Sequence, residues 1–283
     1  MVQGQKLDQA REGDSTIFAA LHGLLVLHPW RDPVAAESDA YSLFYARSSA
    51  LGRLADAAGS DAQGLWGMND AGHDTSSQKP GRDRIWFQVA VREPLPIGRP
   101  LPVQPLLACA GDTAARLGTL RLDAVQLLLP VQCLAPPLVA SSQRDDVGAL
   151  LQEAGWFADY DLHSGARVRV TLDGGQNPTI RTAAPLMLQW MQELKQDVFA
   201  GDARSLTDGA AVLQPGFVDQ LWLGPALHRA TFSGTLVEWS LDALGWLAAL
   251  LASASARCGV STPLVLTVSR SGSTTYSPGE ARA

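Results

Sequence analysis

The feature that most constrains this fold is the alternation of strand-type and helix-type segments along the chain. Apolar residues at every second position, as in 84–92, are typical of a half-buried strand. Apolar residues three and four positions apart, as in 183–199, are typical of an amphipathic helix. Because the two patterns alternate throughout, the sequence predicts an α+β protein.

The predicted elements form two sets with the same order: strand, helix, strand, strand, helix, strand. The first set is 16–28, 39–58, 84–92, 117–129, 144–154 and 156–162. The second set is 166–172, 183–199, 217–223, 230–239, 241–257 and 263–270. This recurrence indicates that the chain contains two similar halves.

The order within each half resembles that of ferredoxin-like (βαββαβ) folds. We therefore predict two tandem ferredoxin-like halves with antiparallel sheets, spanning 15–163 and 164–270. A hairpin turn at 163–165 is predicted to join them. Folds of this order include enzymes, binding modules and assembly subunits, so the order alone predicts no function.

The two ends are predicted to lie outside the halves. Residues 1–14 are polar and are interpreted as a flexible arm, and 271–283, rich in Ser, Thr, Gly and Pro, as a disordered tail. The arm lacks the apolar core of a signal peptide. The longest apolar stretch, 241–254, is too short and too interrupted for a membrane span, which needs about 20 apolar residues. These features predict a cytoplasmic protein without membrane contact.

The helix predicted at 241–257 is apolar on nearly every side. Leu241 belongs to the face expected to pack on a sheet, and Trp246 and Leu250 extend the apolar surface beyond it. Such a helix is normally buried on more than one side. We expect it to lie between the two halves or at a subunit interface, with Leu241, Trp246 and Leu250 in the contact. The alternative is a helix covered by a loop or by the tail.

Candidate catalytic or ligand-binding side chains are few. His22 and His28 lie six residues apart in the first strand, so they are expected to share one sheet face and to line a cavity or bind a metal. The alternative is one core histidine and one at the strand end. In the predicted loop 64–84, His73 and Asp74 are candidates for acid–base chemistry or for part of a metal site. The alternative is a solvated or partly disordered loop.

Motifs that specify a cofactor are absent from the sequence. It contains no phosphate-binding P-loop, no dinucleotide fingerprint, no zinc-protease helix and no nucleophile elbow. The three cysteines, Cys109, Cys133 and Cys258, have no paired spacing, so neither a zinc site nor a disulfide framework is expected. We predict no cofactor.

The charge balance disfavours nucleic acid as a partner. The net charge is −6, and nucleic-acid binding draws on clustered cations. Trp86 and Phe87 are adjacent in a strand and point to opposite faces, so only one of them can stack on a base. Arg121, Arg167 and Arg169 are the nearest approach to a basic cluster, and a solvated strand face explains them better than an anion site does.

Two function hypotheses follow. The first is a non-catalytic interaction or assembly subunit of a bacterial cytosolic multi-protein system, whose partner is another protein or a second copy. The alternative is a barrel-like α+β enzyme with a hydrophobic cavity for a small molecule between the two halves. In that case His22 and His28 would supply the reactive groups, and the loop with His73 and Asp74 would close over them.

Overall fold

A computed structural model describes residues 15–32, 36–55, 64–75, 83–93, 95, 98–134, 145–158, 165–209 and 213–271. The eight strands are β1 Thr16–Leu27, β2 Trp66–Thr75, β3 Asp83–Val91, β4 Gly118–Leu129, β5 Ala166–Asp173, β6 Phe199–Thr207, β7 Arg229–Leu236 and β8 Leu264–Arg270. The α-helices of these described ranges are α1 Ala36–Ala50, α2 Val103–Leu117, α3 Asp145–Ala154, α4 Thr179–Glu193 and α5 Leu241–Arg257. The predicted arm and nearly all of the predicted tail lie outside the described residues.

All eight strands form one antiparallel sheet, in the order β2-β3-β1-β4-β8-β5-β7-β6. The α+β class and the antiparallel pairing are therefore confirmed. The prediction of two separate sheets is wrong, because β4 and β8 pair directly, with Leu128 opposite Val265. Counted from each outer edge, the strands of the two halves follow the same lateral order, β2-β3-β1-β4 and β6-β7-β5-β8.

The central strands are apolar on both faces because both faces are covered. In β1, Ile17, Ala19 and Leu21 contact the core beneath the helices, whereas Phe18 and Ala20 belong to a second core on the opposite face. Successive strand residues point to opposite faces, so this alternation follows from the strand geometry. It also explains why the run 16–28 shows no polar face in the sequence.

A row of buried polar side chains crosses the sheet from β4 to β7. Gln126 on β4 donates to Thr267 on β8 at 3.3 Å, and the hydroxyls of Thr171 and Thr231 lie 3.0 Å apart. Thr231 in turn donates to the carbonyl of Gly209 at 3.3 Å. Buried hydroxyl and amide groups are costly without partners, so these bonds disfavour a shifted strand register.

Two elements of the first half differ from the prediction. The segment 64–84 was expected to be a loop, yet it contains the edge strand β2, whose Gly and Asp residues are tolerated because only one side pairs, with β3. The Pro-rich segment 93–105 leads into α2, which begins at Val103 directly after Pro102. Proline is compatible with the first helical turn, where no intrahelical N–H bond is lost.

The first-half strand predicted at 156–162 is also wrong where the chain is described. Residues 155–157 form a short 3-10 helix, and 159–164 lie outside the described residues. In the second half, 217–223 is not a strand, and the second strand is instead β6 Phe199–Thr207. β6 was missed because it is a largely exposed, polar edge strand that lacks an apolar face.

Helix α5 lies at the centre of the helical layer. It packs against α2, α4, α3 and the sheet, and Trp246 Nε1 donates to the carbonyl of Leu150 in α3 at 2.7 Å. A Cβ at Gly245 would approach Gln104 Cα to 2.6 Å, so α2 and α5 touch at a glycine. The two halves are therefore joined by helix packing as well as by the β4–β8 pairing. Among the described helices, none combines the length and the apolar character that a membrane span requires.

Candidate functional site

The face of the sheet opposite the helices is covered by the connection between β6 and β7. We call residues 213–228 the cover segment. Its apolar side chains pack on the second core and are Phe217, Leu221, Trp222 and Ala226. Their partners on the sheet are Phe18, Ala20, Trp86, Leu128 and Val265. Because these partners come from β1, β3, β4 and β8, the cover segment of the second half lies over strands of both halves.

Aromatic contacts fix the inner side of the cover segment. The ring of Phe217 meets Phe18 edge-on at 5.0 Å and Trp222 at 6.2 Å. Phe18 stacks on Trp86 at 5.7 Å, which extends the cluster to β3. Edge-to-face and offset stacked arrangements are the favourable geometries for such rings. The inner side is thus a small aromatic core with defined geometry.

Hydrogen bonds to the turn after β5 fix the outer side. Within this turn, Gln176 donates from its backbone N–H to the carbonyl of Leu223 at 3.0 Å and from its side chain to that of Gly224 at 2.9 Å. The carbonyl of Gly175 accepts from the N–H groups of Leu227 and His228. Gly175 has φ +60°, and a Cβ there would lie 2.4 Å from the carbonyl oxygen of Leu223. Only glycine fits this close approach.

Leu223 itself has an unusual backbone. Its φ is 61°, in the left-handed region, which costs a residue with a Cβ roughly 1–2 kcal/mol. Its side chain is 48% exposed, so its own burial does not offset this cost. Such strain persists only where the surrounding structure holds the residue in place.

Three large aliphatic side chains are exposed on the outer surface of the cover segment. Val218, Leu223 and Leu227 are 62%, 48% and 61% exposed, and we call these three side chains the apolar patch. Beside them is an open depression of about 540 Å³ whose polar rim includes Gln176, Asn177 and Asp219. An apolar centre with a polar rim is the usual anatomy of a protein–protein contact.

A buried ion pair lies below the turn that holds the cover segment. Asp173, at the end of β5, accepts from Arg229 Nε at 2.5 Å and from the Gly175 N–H at 3.0 Å. Burial raises the pKa of the Asp173 carboxyl, and the bonds from Arg229 and Gly175 offset only part of this rise. The folded protein therefore holds a proton on this group at a pH where the unfolded chain has already lost it.

This pKa shift predicts how the Asp173→Asn variant will differ from the wild type. A raised folded-state pKa gives stability that is complete below the unfolded value, about 3.9, and is lost as the pH rises through the folded value. The difference in unfolding free energy, wild type minus variant, should therefore fall as the pH rises from acid to neutral. Urea unfolding at a series of pH values measures it. A difference that grows with pH would contradict this expectation.

The structure separates the two histidines predicted to share a cavity. His22 lies in β1 opposite Arg84 and Ala124 of the neighbouring strands. His28 lies beyond the strand end, where its Nε2 donates to the carbonyl of Ala115 at 3.0 Å and its ring stacks on Trp30. A groove is present at His28, but His22 does not line it. The strand ends at Leu27, so the two-residue periodicity does not extend to His28.

His73 and Asp74 are also apart, because neighbours in β2 point to opposite faces. His73 Nε2 lies 3.7 Å from a carboxylate oxygen of Asp83, whereas Asp74 accepts from Arg84 Nε at 2.8 Å. Asp83 also accepts from the N–H of Leu25 at 2.7 Å. Among the described residues, no group of three or more His, Cys, Asp or Glu side chains is placed to hold a metal ion.

The residues of α5 that were predicted to form an interface are buried or partly buried within the fold of this one chain. Trp246 and Leu250 are fully buried, and Leu241 is partly buried against α2, with its Cδ1 2.8 Å from a Cβ built on Gly111. Their contacts are with other elements of the same chain. Sequence reasoning did not single out the apolar patch, although the segment 217–227 (FVDQLWLGPAL) places apolar residues on either side of a Gly-Pro pair.

Comparison with models of known protein families found no matching family, and comparison with curated proteins found no similar protein. The candidate site therefore stands on the geometry of this chain alone.

Proposed function

We propose that this protein is a non-catalytic interaction or assembly subunit of a bacterial cytosolic multi-protein system, and that it associates through the apolar patch. The observation that carries the proposal is the exposure of three large aliphatic side chains on a segment whose other side is anchored in the core. Leu223 and Leu227 are held by the turn after β5, Leu223 in a strained conformation, and Val218 is exposed on the same segment.

Rigid display favours binding because little conformational freedom remains to be lost on association. Water is released when apolar side chains meet, and this release supplies the free energy. An aliphatic patch without charge is complementary to itself, which suits the two-fold contact of identical subunits. A second copy of this chain is therefore the first partner that we propose.

The charge of the chain sets the salt dependence of this association. Each copy carries −6, so two copies repel one another at low ionic strength. Salt screens this repulsion while leaving apolar contacts intact. Association should therefore strengthen as salt is added, whereas a contact built from ion pairs would weaken.

We further propose that the two halves are tandem ferredoxin-like units. The support is that each half has two helices between its strands in the βαββαβ order and the same lateral strand order. The alternative function, an enzyme cavity between the halves, requires two sheets that face each other. Here the two sets of strands continue one another side by side in a single sheet, so this arrangement favours the interaction subunit.

The double variant Leu223→Ser/Leu227→Ser tests the association. Wild-type mass measured by light scattering should rise above the monomeric 30.1 kDa with concentration, and the variant should weaken association by about a hundredfold because both copies lose two apolar side chains. Val26→Ser/Leu51→Ser is the matched control, since these side chains are 60% and 42% exposed in the first half. A wild type that stays monomeric at every concentration, or a control that weakens equally, would refute the proposal.

A further inference from the structure

A second candidate site is a groove on the helical side of the first half. The residues that line it are distant in sequence from the cover segment. It forms where the turn after β1 meets the middle of α1 and the C-terminal end of α2. Its volume is about 690 Å³, within the range of pockets that bind small organic molecules. The side chains that matter for its chemistry are Trp30, His28, Arg31, Arg47, Arg116 and Asp112.

An aromatic pair forms one wall of the groove. His28 is fixed by its bond to the carbonyl of Ala115, and its ring stacks on Trp30 with centroids 4.3 Å apart and planes 9° from parallel. Trp30 is nevertheless 73% exposed. An indole held flat by a neighbouring ring and left open to solvent offers its free surface to another planar group.

Three guanidinium groups line the same groove. Arg31 donates to Asp39 at 2.7 Å and to the carbonyl of Arg116 at 3.3 Å, and Arg47 donates to Asp112 at 2.6 Å. These bonds fix the two side chains while leaving each with further N–H donors, since a guanidinium has five.

Arg116 has no carboxylate partner among the described residues. Counting only the described groove residues and their ion-pair partners, Arg31, Arg47 and Arg116 stand against Asp39 and Asp112, an excess of one positive charge. The excess charge and the oriented donors suit a carboxylate or a phosphate.

We propose that this groove binds a small planar aromatic anion, meaning one ring system that carries one carboxylate or phosphate group. The ring stacks on the exposed surface of Trp30, and the anionic group binds the guanidinium of Arg116 with help from the oriented donors of Arg31 and Arg47. His28 supports Trp30 from the opposite side and does not contact the ring of the bound anion. The site does not depend on association through the apolar patch.

Isothermal titration calorimetry with two probes tests the proposal. Indole-3-acetate supplies a carboxylate and adenosine 5′-monophosphate a phosphate, and indole-3-acetamide and adenosine are the matched neutral compounds. At least one anion should bind with a stoichiometry of one and about tenfold more tightly than its neutral counterpart. Binding of one anion alone identifies the anionic group that the groove prefers.

Variants locate the binding. Trp30→Ala and Arg116→Gln should each weaken it by about tenfold, with the fold intact because both side chains are exposed. Trp156→Ala, at a 76% exposed tryptophan outside the groove, and Arg204→Gln, at an exposed arginine on β6, are the matched controls. The association variant Leu223→Ser/Leu227→Ser should bind like the wild type. The proposal is overturned if neither anion binds at millimolar concentration, or if the groove variants bind as tightly as the controls.

Discussion

Replacing Trp246 with aspartate should unfold the protein or leave it with only a small fraction of its stability. Trp246 is fully buried in the centre of α5 and bonds to Leu150 of α3. Loss of a buried tryptophan side chain costs about 3–5 kcal/mol, and a buried carboxylate without a partner adds to that cost. A typical domain has about 5–15 kcal/mol to lose. Urea unfolding followed by circular dichroism measures the change, and wild-type stability would contradict a core position.

Two further variants separate the possible causes of the stability loss expected for Trp246→Asp. Trp156→Asp makes the same chemical change at a side chain that is 76% exposed, and it should shift the unfolding free energy by no more than about 0.5 kcal/mol. Trp246→Phe keeps most of the ring and removes the N–H that donates to Leu150, so it should cost about 1–3 kcal/mol. If the unfolding free energy is lowest for Trp246→Asp, intermediate for Trp246→Phe and highest for the wild type, packing and the buried charge both contribute.

The second large effect is expected from Trp222→Ala in the cover segment. Trp222 is 1% exposed and packs against Phe18, Ala20, Leu128 and Val265. Its removal should cost about 3–5 kcal/mol, nearly all of it from lost packing, because the indole N–H has no hydrogen-bond partner among the described residues. Urea unfolding measures this cost.

Trp222→Ala should also weaken self-association, since the apolar patch would lose the anchor that holds it in place. Trp222→Phe is the matched variant, and we expect it to keep association while losing part of the stability. If Trp222→Ala left both stability and association unchanged, the cover segment would not be anchored as described.

The sequence predicted best those elements whose own residues determine their structure. Strands β1, β4 and β8 contain apolar runs and β5 alternates apolar with polar residues, and the predicted bounds lie within one or two residues of those observed. Helix α5 has the predicted bounds, and it begins there because Ser240 accepts a hydrogen bond from the N–H of Ala243, the side-chain bond that starts many helices. In these segments local propensity and final burial agree.

Elements at the sheet edges were missed for a common reason. β2 and β6 are held by pairing on one side only, so their sequences need not be apolar, and their Gly, Asp and Ser residues are typical of loops. The β4–β8 pairing could not be predicted either. It joins residues more than 130 positions apart, as with Leu128 and Val265, and no local pattern specifies which buried strands become neighbours.

The candidate sites show the same limit. Periodicity placed His22 and His28 on one face, but the strand ends between them and His28 turns to the end of α2. The patch depends on a turn near Gly175 that is distant in sequence from Leu223, and the groove depends on Trp30 and Arg116 meeting across the fold. A single sequence shows which residue types are present, but it does not show which of them become neighbours in the folded chain.

The most direct test of association through the apolar patch is amide hydrogen exchange of the intact protein in a dilute and in a concentrated solution. Association predicts that backbone amides in 218–227 and in the turn 174–177 exchange more slowly in the concentrated solution, and that α5, already buried, is unchanged. Exchange in these two segments that does not depend on concentration, or protection that arises at a different surface instead, would contradict it.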